Sequence, residues 1–364
     1  MLVKEVIAII EEFAPPAYAE DFDNVGLLVG NINAKVTGAL ITLDSLESVV
    51  DEAIDKNCNL IISFHPIIFS GIKKLIGKDY VQKTIIKAIK NDIAIYAIHT
   101  ALDNQYKGVN DMICEKIGLK NRQILIPRKN SIKKLTTFVP NQQAAEVRNA
   151  LFDAGGGSIG NYDHCSFNVK GEGSFKPNEQ ANPVIGSHGN LHLEEETQIG
   201  VTYPAHLEST LITALFKSHP YEEVAYEINT IDNKNQHLGM GMIGELENPE
   251  SPTSFLKRIK NLFNCGCIRH SDFGDTQIKK VAVLGGSGSF AINEAKGAGA
   301  DIYLTADLKY HDFYKGDKTF ILADIGHYES EQFTKDLLHS YLTKKISNFA
   351  LILAETNTNP IKYI

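Results

Sequence analysis

Short apolar runs alternate with helical periods at both ends of this 364-residue chain, and a different rhythm interrupts them in the middle. Up to about residue 128, the strand candidates VTGALITLD, NLIISF and IAIYAI alternate with the helical stretches SLESVVDEAIDK and YVQKTIIKAIK, and VNDMICEKIG follows the third strand. Short β-branched runs joined by amphipathic helices build a mostly parallel sheet covered by helices. From about residue 279 the pattern returns: KKVAVLG, a helix through FAINEAKGAG, ADIYLT, a helix after Asp307, KTFILAD, a long helix from about Tyr328, and NFALILAE. The two ends read as α/β halves of one body.

Between them the order is strand, helix, strand, strand, helix, strand: KKLTTFVP, AAEVRNALFDAG, HCSFNVKGEG, TQIGVTYP, LESTLITALFKS and VAYEINTI. That succession is the ferredoxin-like split βαβ arrangement. Gly155, Gly156 and Gly157 follow its first helix as a stop signal. The expected organisation is an N-terminal α/β half at 1–128, a ferredoxin-like α+β insert at 129–240 and a C-terminal α/β half at 241–364.

Composition narrows the function classes. A formal charge of -8 argues against general binding to nucleic-acid phosphates, which depends on lysines and arginines displacing counterions. The N-terminal MLVKEVIAIIEEFAPP carries acids within its apolar run, and no stretch reaches the roughly 18 apolar residues that span a bilayer. It reads as an amphipathic helix of a cytoplasmic protein, neither secreted nor membrane-bound. The five cysteines lack CxxC pairs and read as reduced thiols; Cys265 and Cys267 have no second pair with which to build a soft-metal site.

In an open parallel sheet, ligands collect beyond the carboxyl ends of the strands. NLIISF ends at His65, IAIYAI at His99 with Asp103 following, and KTFILAD at Asp324 with His327 following. His327 and Glu331 are four residues apart, on one face if helical. Imidazole and carboxylate together suit zinc, iron, manganese or nickel, and a carboxylate can bridge two ions. Asp307 and His311 share the same spacing and read either as pocket groups or as a helix cap beside an exposed histidine. The loop GGSGS at 285–289 reads as a tight strand-to-helix turn, since it lacks both GxGxxG spacing and the Walker lysine of a phosphate cradle. HPYEE at 219–223 reads as a structured turn that shapes the insert or an oligomer contact.

Five segments, DNVGLLVGN (23–31), FHPIIF (64–69), HTALDNQYKGVND (99–111), TADLKYHD (305–312) and DIGHYESE (324–331), resemble the motifs of the GTP cyclohydrolase 1 type 2 homologue family, also called NIF-three-like dinuclear metal-centre proteins. HPYEEVAYEI (219–228) and HLGMGMIGEL (237–246) resemble the PII-like or CutA-like insert of its longer members. The resemblance implies a toroidal homohexamer holding two divalent metal ions per chain, with His65, Asp103, His327 and Glu331 at ligand positions. Phe64 stands where many relatives have a further histidine, which implies unequal occupancy of the two metal positions or recruitment of His99. The leading expectation is a metal-dependent hydrolase in which a bound metal acidifies water, with His99, Asp307 and His311 as candidates for proton transfer or substrate orientation; the nucleotide substrate is what the resemblance implies. The alternative is a noncatalytic hexameric metal-binding scaffold or regulator whose insert senses a small molecule.

Overall fold

The apolar runs at the two ends form two sheets, which a computed structural model describing residues 1–364 places on a shared core. In the first sheet the strands Gly26–Val29, Ala94–Ala97, Leu60–Ser63, Gly38–Thr42 and Ala350–Leu353 lie side by side in that order. All pair in parallel except Gly26–Val29, which is antiparallel at the edge. Every residue of Gly38–Thr42, Leu60–Ser63 and Ala94–Ala97 is buried. Burial on both faces explains why these segments read as unbroken apolar runs rather than alternating ones. The crossover helices are Glu47–Asp55 and Tyr80–Lys90, and Asp79 caps the second by accepting from the Gln82 amide.

The second sheet runs Arg269–His270, Ile321–Asp324, Ile302–Ala306, Ile278–Ser287, Gly239–Glu250 and Lys120–Pro127. Ile278–Ser287, Ile302–Ala306 and Ile321–Asp324 are parallel to one another, and the flanking strands are antiparallel. Each half lends a strand to the other: Ala350–Leu353 completes the first sheet and Lys120–Pro127 the second. One buried cluster accordingly contains Ile41, Ile62 and Tyr96 of the first sheet with Val281, Ile302 and Ile321 of the second. Met1–Pro127 and Gln236–Ile364 form one compact unit. The N-terminal helix Val3–Phe13 adds Val3, Val6, Ile7 and Ile10 to that core at helical spacing. No helix is long and apolar enough to cross a membrane.

Residues Arg128–Asn235 form the other compact unit. Its sheet has the order Phe167–Phe175, His192–Pro204, Ile132–Pro140, Tyr226–Ile231 with every neighbour antiparallel, the ferredoxin-like arrangement. Helices Ala144–Asp153 and Glu208–Ser218 pack Val147, Leu151, Leu211 and Leu215 against Leu135, Val139, Ile199 and Val201 on one face.

Three local readings change. HLGMGMIGEL, grouped with the insert from its sequence, runs from its third residue into the strand Gly239–Glu250 of the second sheet, where Gly239 stands opposite Pro127. The insert thus occupies the turn of a β-hairpin. The helix expected from Tyr328 is broken into His327–Glu331 and Thr334–Lys345. After Asp307 there is only the 3-10 segment Tyr310–Lys315.

Candidate metal centre

The carboxyl ends of strands from both sheets of the outer unit deliver polar side chains to one place. His65 follows Leu60–Ser63; His99 follows Ala94–Ala97 and opens the helix His99–Asn104, which carries Asp103. Asp307 follows Ile302–Ala306, and His327 with Glu331 lies on the short helix after Ile321–Asp324. His99 (φ 28°) and Asp307 (φ 56°) leave their strands through left-handed backbone, a conformation that costs on the order of 1 kcal/mol or more and collects at functional sites.

Glu331 is the centre of the cluster. Its Oε2 lies 3.1 Å from His65 Nε2 and 3.1 Å from His327 Nε2, and the three residues could share one cation. The far nitrogen of each ring is held by another carboxylate: His65 Nδ1 is 2.8 Å from Asp44 Oδ1, and His327 Nδ1 is 2.7 Å from Asp307 Oδ2. An ionised carboxylate only accepts, so Nδ1 donates in both cases. A neutral ring then presents its Nε2 lone pair to Glu331.

Lone pair facing carboxylate is repulsive unless a positive charge stands between them. Neither contact with Glu331 has hydrogen-bond alignment, and its buried Oε2 has no other partner. In the bare protein, protons supply the charge. Burial opposes a charged His65, but Asp44 and Glu331 outweigh it and carry the ring up to about 10; the same balance with Asp307 and Glu331 carries His327 up to about 11. Asp103 moves the other way: burial, reinforced by the charge of Glu331, raises its carboxyl well above the usual range. Asp103 Oδ1 is enclosed without a hydrogen-bond partner. The orphaned Glu331 oxygen between two oriented imidazoles fits a divalent cation by the chemistry of the donor set, and Asp103 lies outside the three residues whose donor atoms converge.

The family model for Duf34/NIF3 (NGG1p interacting factor 3) matches residues 1–360. The chain belongs to the Duf34/NIF3 family. A Bacillus subtilis (strain 168) member named "GTP cyclohydrolase 1 type 2 homolog" is 38% identical, over 99% of this chain and 98% of the relative. A Staphylococcus epidermidis member of the same name is 34% identical over the full length of both. Among solved structures, a Bacillus cereus protein related to NIF3 superposes with a TM-score of 0.86 at 38% identity, covering 100% of this chain and 99% of that one. A Staphylococcus aureus protein does so at 0.80 and 30%, with the same coverage.

Within this Duf34/NIF3 chain, the other residues singled out from sequence occupy different settings. His99 Nδ1 is 2.8 Å from Asp23 Oδ1, and its ring centroid lies 5.3 Å from that of His65. Asp307 orients His327 and accepts from Ser287 Oγ. His311 is exposed and makes ring contacts with Tyr310 and Tyr314. Phe64 is fully buried, its ring 4.9 Å from that of His65 and 5.6 Å from that of His99. The first two GGSGS amides are occupied, Gly285 donating to Asn110 Oδ1 and Gly286 to Ser330 Oγ. Gly286 (φ +69°) also needs to be glycine because a Cβ there would collide with Glu331 Oε1.

Asp44, Asp23 and Ser330 escaped the sequence reading. Asp44 ends the VTGALITLD run, so the strand-end rule reaches it as it reaches His65. Asp23 accepts from the Thr100 amide and hydroxyl as well as facing His99, a contact across 76 sequence positions that leaves no local pattern.

Proposed function

We propose that the outer unit holds two divalent cations with His65, Asp103, His327 and Glu331 and works as a metal-dependent hydrolase on a nucleotide-class substrate. The observation that carries this reading is the pair of 3.1 Å approaches to Glu331 Oε2 by imidazoles whose other nitrogens are tied to carboxylates. A divalent cation bound there supplies acidification of water and polarisation of a substrate oxygen. The chain's residues provide the rest. Asp44 and Asp307 fix the tautomers of His65 and His327, and Glu331 and Asp103 would supply the carboxylates that hold the cations, each having a buried oxygen without a hydrogen-bond partner.

His99, with Nδ1 tied to Asp23, keeps Nε2 for holding a substrate group or moving a proton. Asp307 acts through His327, and His311 is the more remote candidate for contacting substrate. The nucleotide class comes from the name that the relatives carry, and a homohexameric ring from the family resemblance. Protein purified without chelator is assayed for hydrolysis of GTP and other nucleotides beside His327→Ala and Glu331→Ala. Metal-dependent turnover that both variants lose supports the reading; metal-independent turnover, or none from metal-loaded protein, overturns the hydrolase.

A further inference from the structure

The insert contains a cavity of about 550 Å³, inside the roughly 300–1,000 Å³ range of small-molecule sites. Its floor is the sheet face opposite the helices. Phe138, Gln198 and Val169 stand in register across three strands on that face, and Glu196 stands beside them opposite Pro140 and Gly171. Its roof is the connection at 176–191, which brings Val184 and Ile185 over the floor. The roof is fixed in place: Asn182 N donates to Glu222 Oε1 at 2.8 Å and Gly189 N to Pro177 O at 2.8 Å.

One group in this apolar space is out of character. Glu196 is only 9% exposed, yet its carboxylate receives a single hydrogen bond, from Tyr221 Oη to Oε1 at 2.7 Å. Gly173 makes room for the other oxygen, since a Cβ there would collide with Oε2. Around it, Glu172, Glu222 and Glu223 outnumber Lys170 and Lys176. The aromatic rings of Phe175 and Tyr221, with centroids 5.8 Å apart, line the same space. A buried carboxylate with a free oxygen, aromatic faces and surplus negative charge select a cation with an apolar body and disfavour anions.

We infer that this cavity is a binding site for a small organic cation, an amine carried on an apolar or aromatic body, with Glu196 as the group that receives its N–H. HPYEE thereby acquires a role in the insert: His219 anchors the turn, with Nε2 3.0 Å from Phe138 O and Nδ1 accepting from Tyr221 N, so that Tyr221 reaches Glu196.

The test uses the full-length chain and isothermal titration with three probes of matched shape: phenethylamine, 2-phenylethanol and phenylacetate. The amine is expected to bind, the alcohol at least about tenfold more weakly, and phenylacetate not at all. Glu196→Gln, whose amide oxygen still accepts from Tyr221, is expected to reduce amine affinity to that of the alcohol. Should that variant unfold the insert, Gly173→Ala, which displaces the carboxylate, is expected to weaken the amine with unchanged circular dichroism. Equal affinity for amine and alcohol, amine binding indifferent to the variants, or no amine binding at millimolar concentration would overturn the assignment.

Discussion

Behind each imidazole of the centre stands an aspartate, Asp44 for His65 and Asp307 for His327. Carboxylates in this position set ring orientation and basicity, and removing one costs roughly 10–100-fold in metal affinity. Asp307→Asn should therefore weaken zinc or manganese binding by that factor in a competition titration with a chromogenic chelator. Asparagine tolerates the left-handed backbone at this position, so the melting temperature should hold. Unchanged affinity would remove Asp307 from the centre. Phe64 bears on the proposed second ion. It offers no donor atom beside the rings of His65 and His99, so the two binding steps should differ in affinity, and Phe64→His should narrow the gap by tightening the weaker step. Two equal steps in the unaltered protein would refute this. The ligand candidates were legible because strand ends and an i,i+4 spacing are local signals. Phe64 was legible only through family resemblance, and the hold of Asp23 on His99 was not, because side chains distant in sequence make it.

At the scale of elements, the buried parallel strands were the clearest in the sequence, since burial on both faces leaves an unbroken apolar run. Lys120–Pro127 and Gly239–Glu250 were hidden for physical reasons. The first opens with exposed polar residues, and the second carries Gly239, Gly241 and Gly244, which blur any period of two. The helix Glu47–Asp55 also ties down the segment after the last strand. Burial works against a charged Glu52, but Thr356 Oγ1, the amides of Glu355 and Thr356, and Lys56 outweigh it and hold its carboxyl down to about 2. Because the folded pKa lies below the unfolded 4.5, this stabilisation is complete above about pH 4.5 and is lost as the pH falls toward 2. Glu52→Gln should cost on the order of 2 kcal/mol in urea unfolding at pH 7, under half of that near pH 3, and little near pH 2. A pH-independent difference would show that the charge is not what anchors the segment.

Over the whole molecule, the sequence displays two α/β halves but not their exchange of strands. The joining of Ala350–Leu353 to Gly38–Thr42, and of Lys120–Pro127 to Gly239–Glu250, is a long-range choice that local periodicity does not encode. The same exchange explains how an insert is tolerated, because Pro127 and Gly239 face each other as hairpin neighbours. Replacing residues 128–235 with a short Asn-Gly-containing turn should leave the outer unit folded and its metal stoichiometry unchanged, as read by circular dichroism and metal analysis. Loss of the fold would make the insert part of the outer core. Whether Glu331 and its two imidazoles hold a cation is tested most directly by anomalous diffraction from zinc-soaked crystals. It should show a peak about 2.0–2.2 Å from His65 Nε2, His327 Nε2 and Glu331 Oε2; a map with zinc elsewhere and none among these three atoms would contradict it.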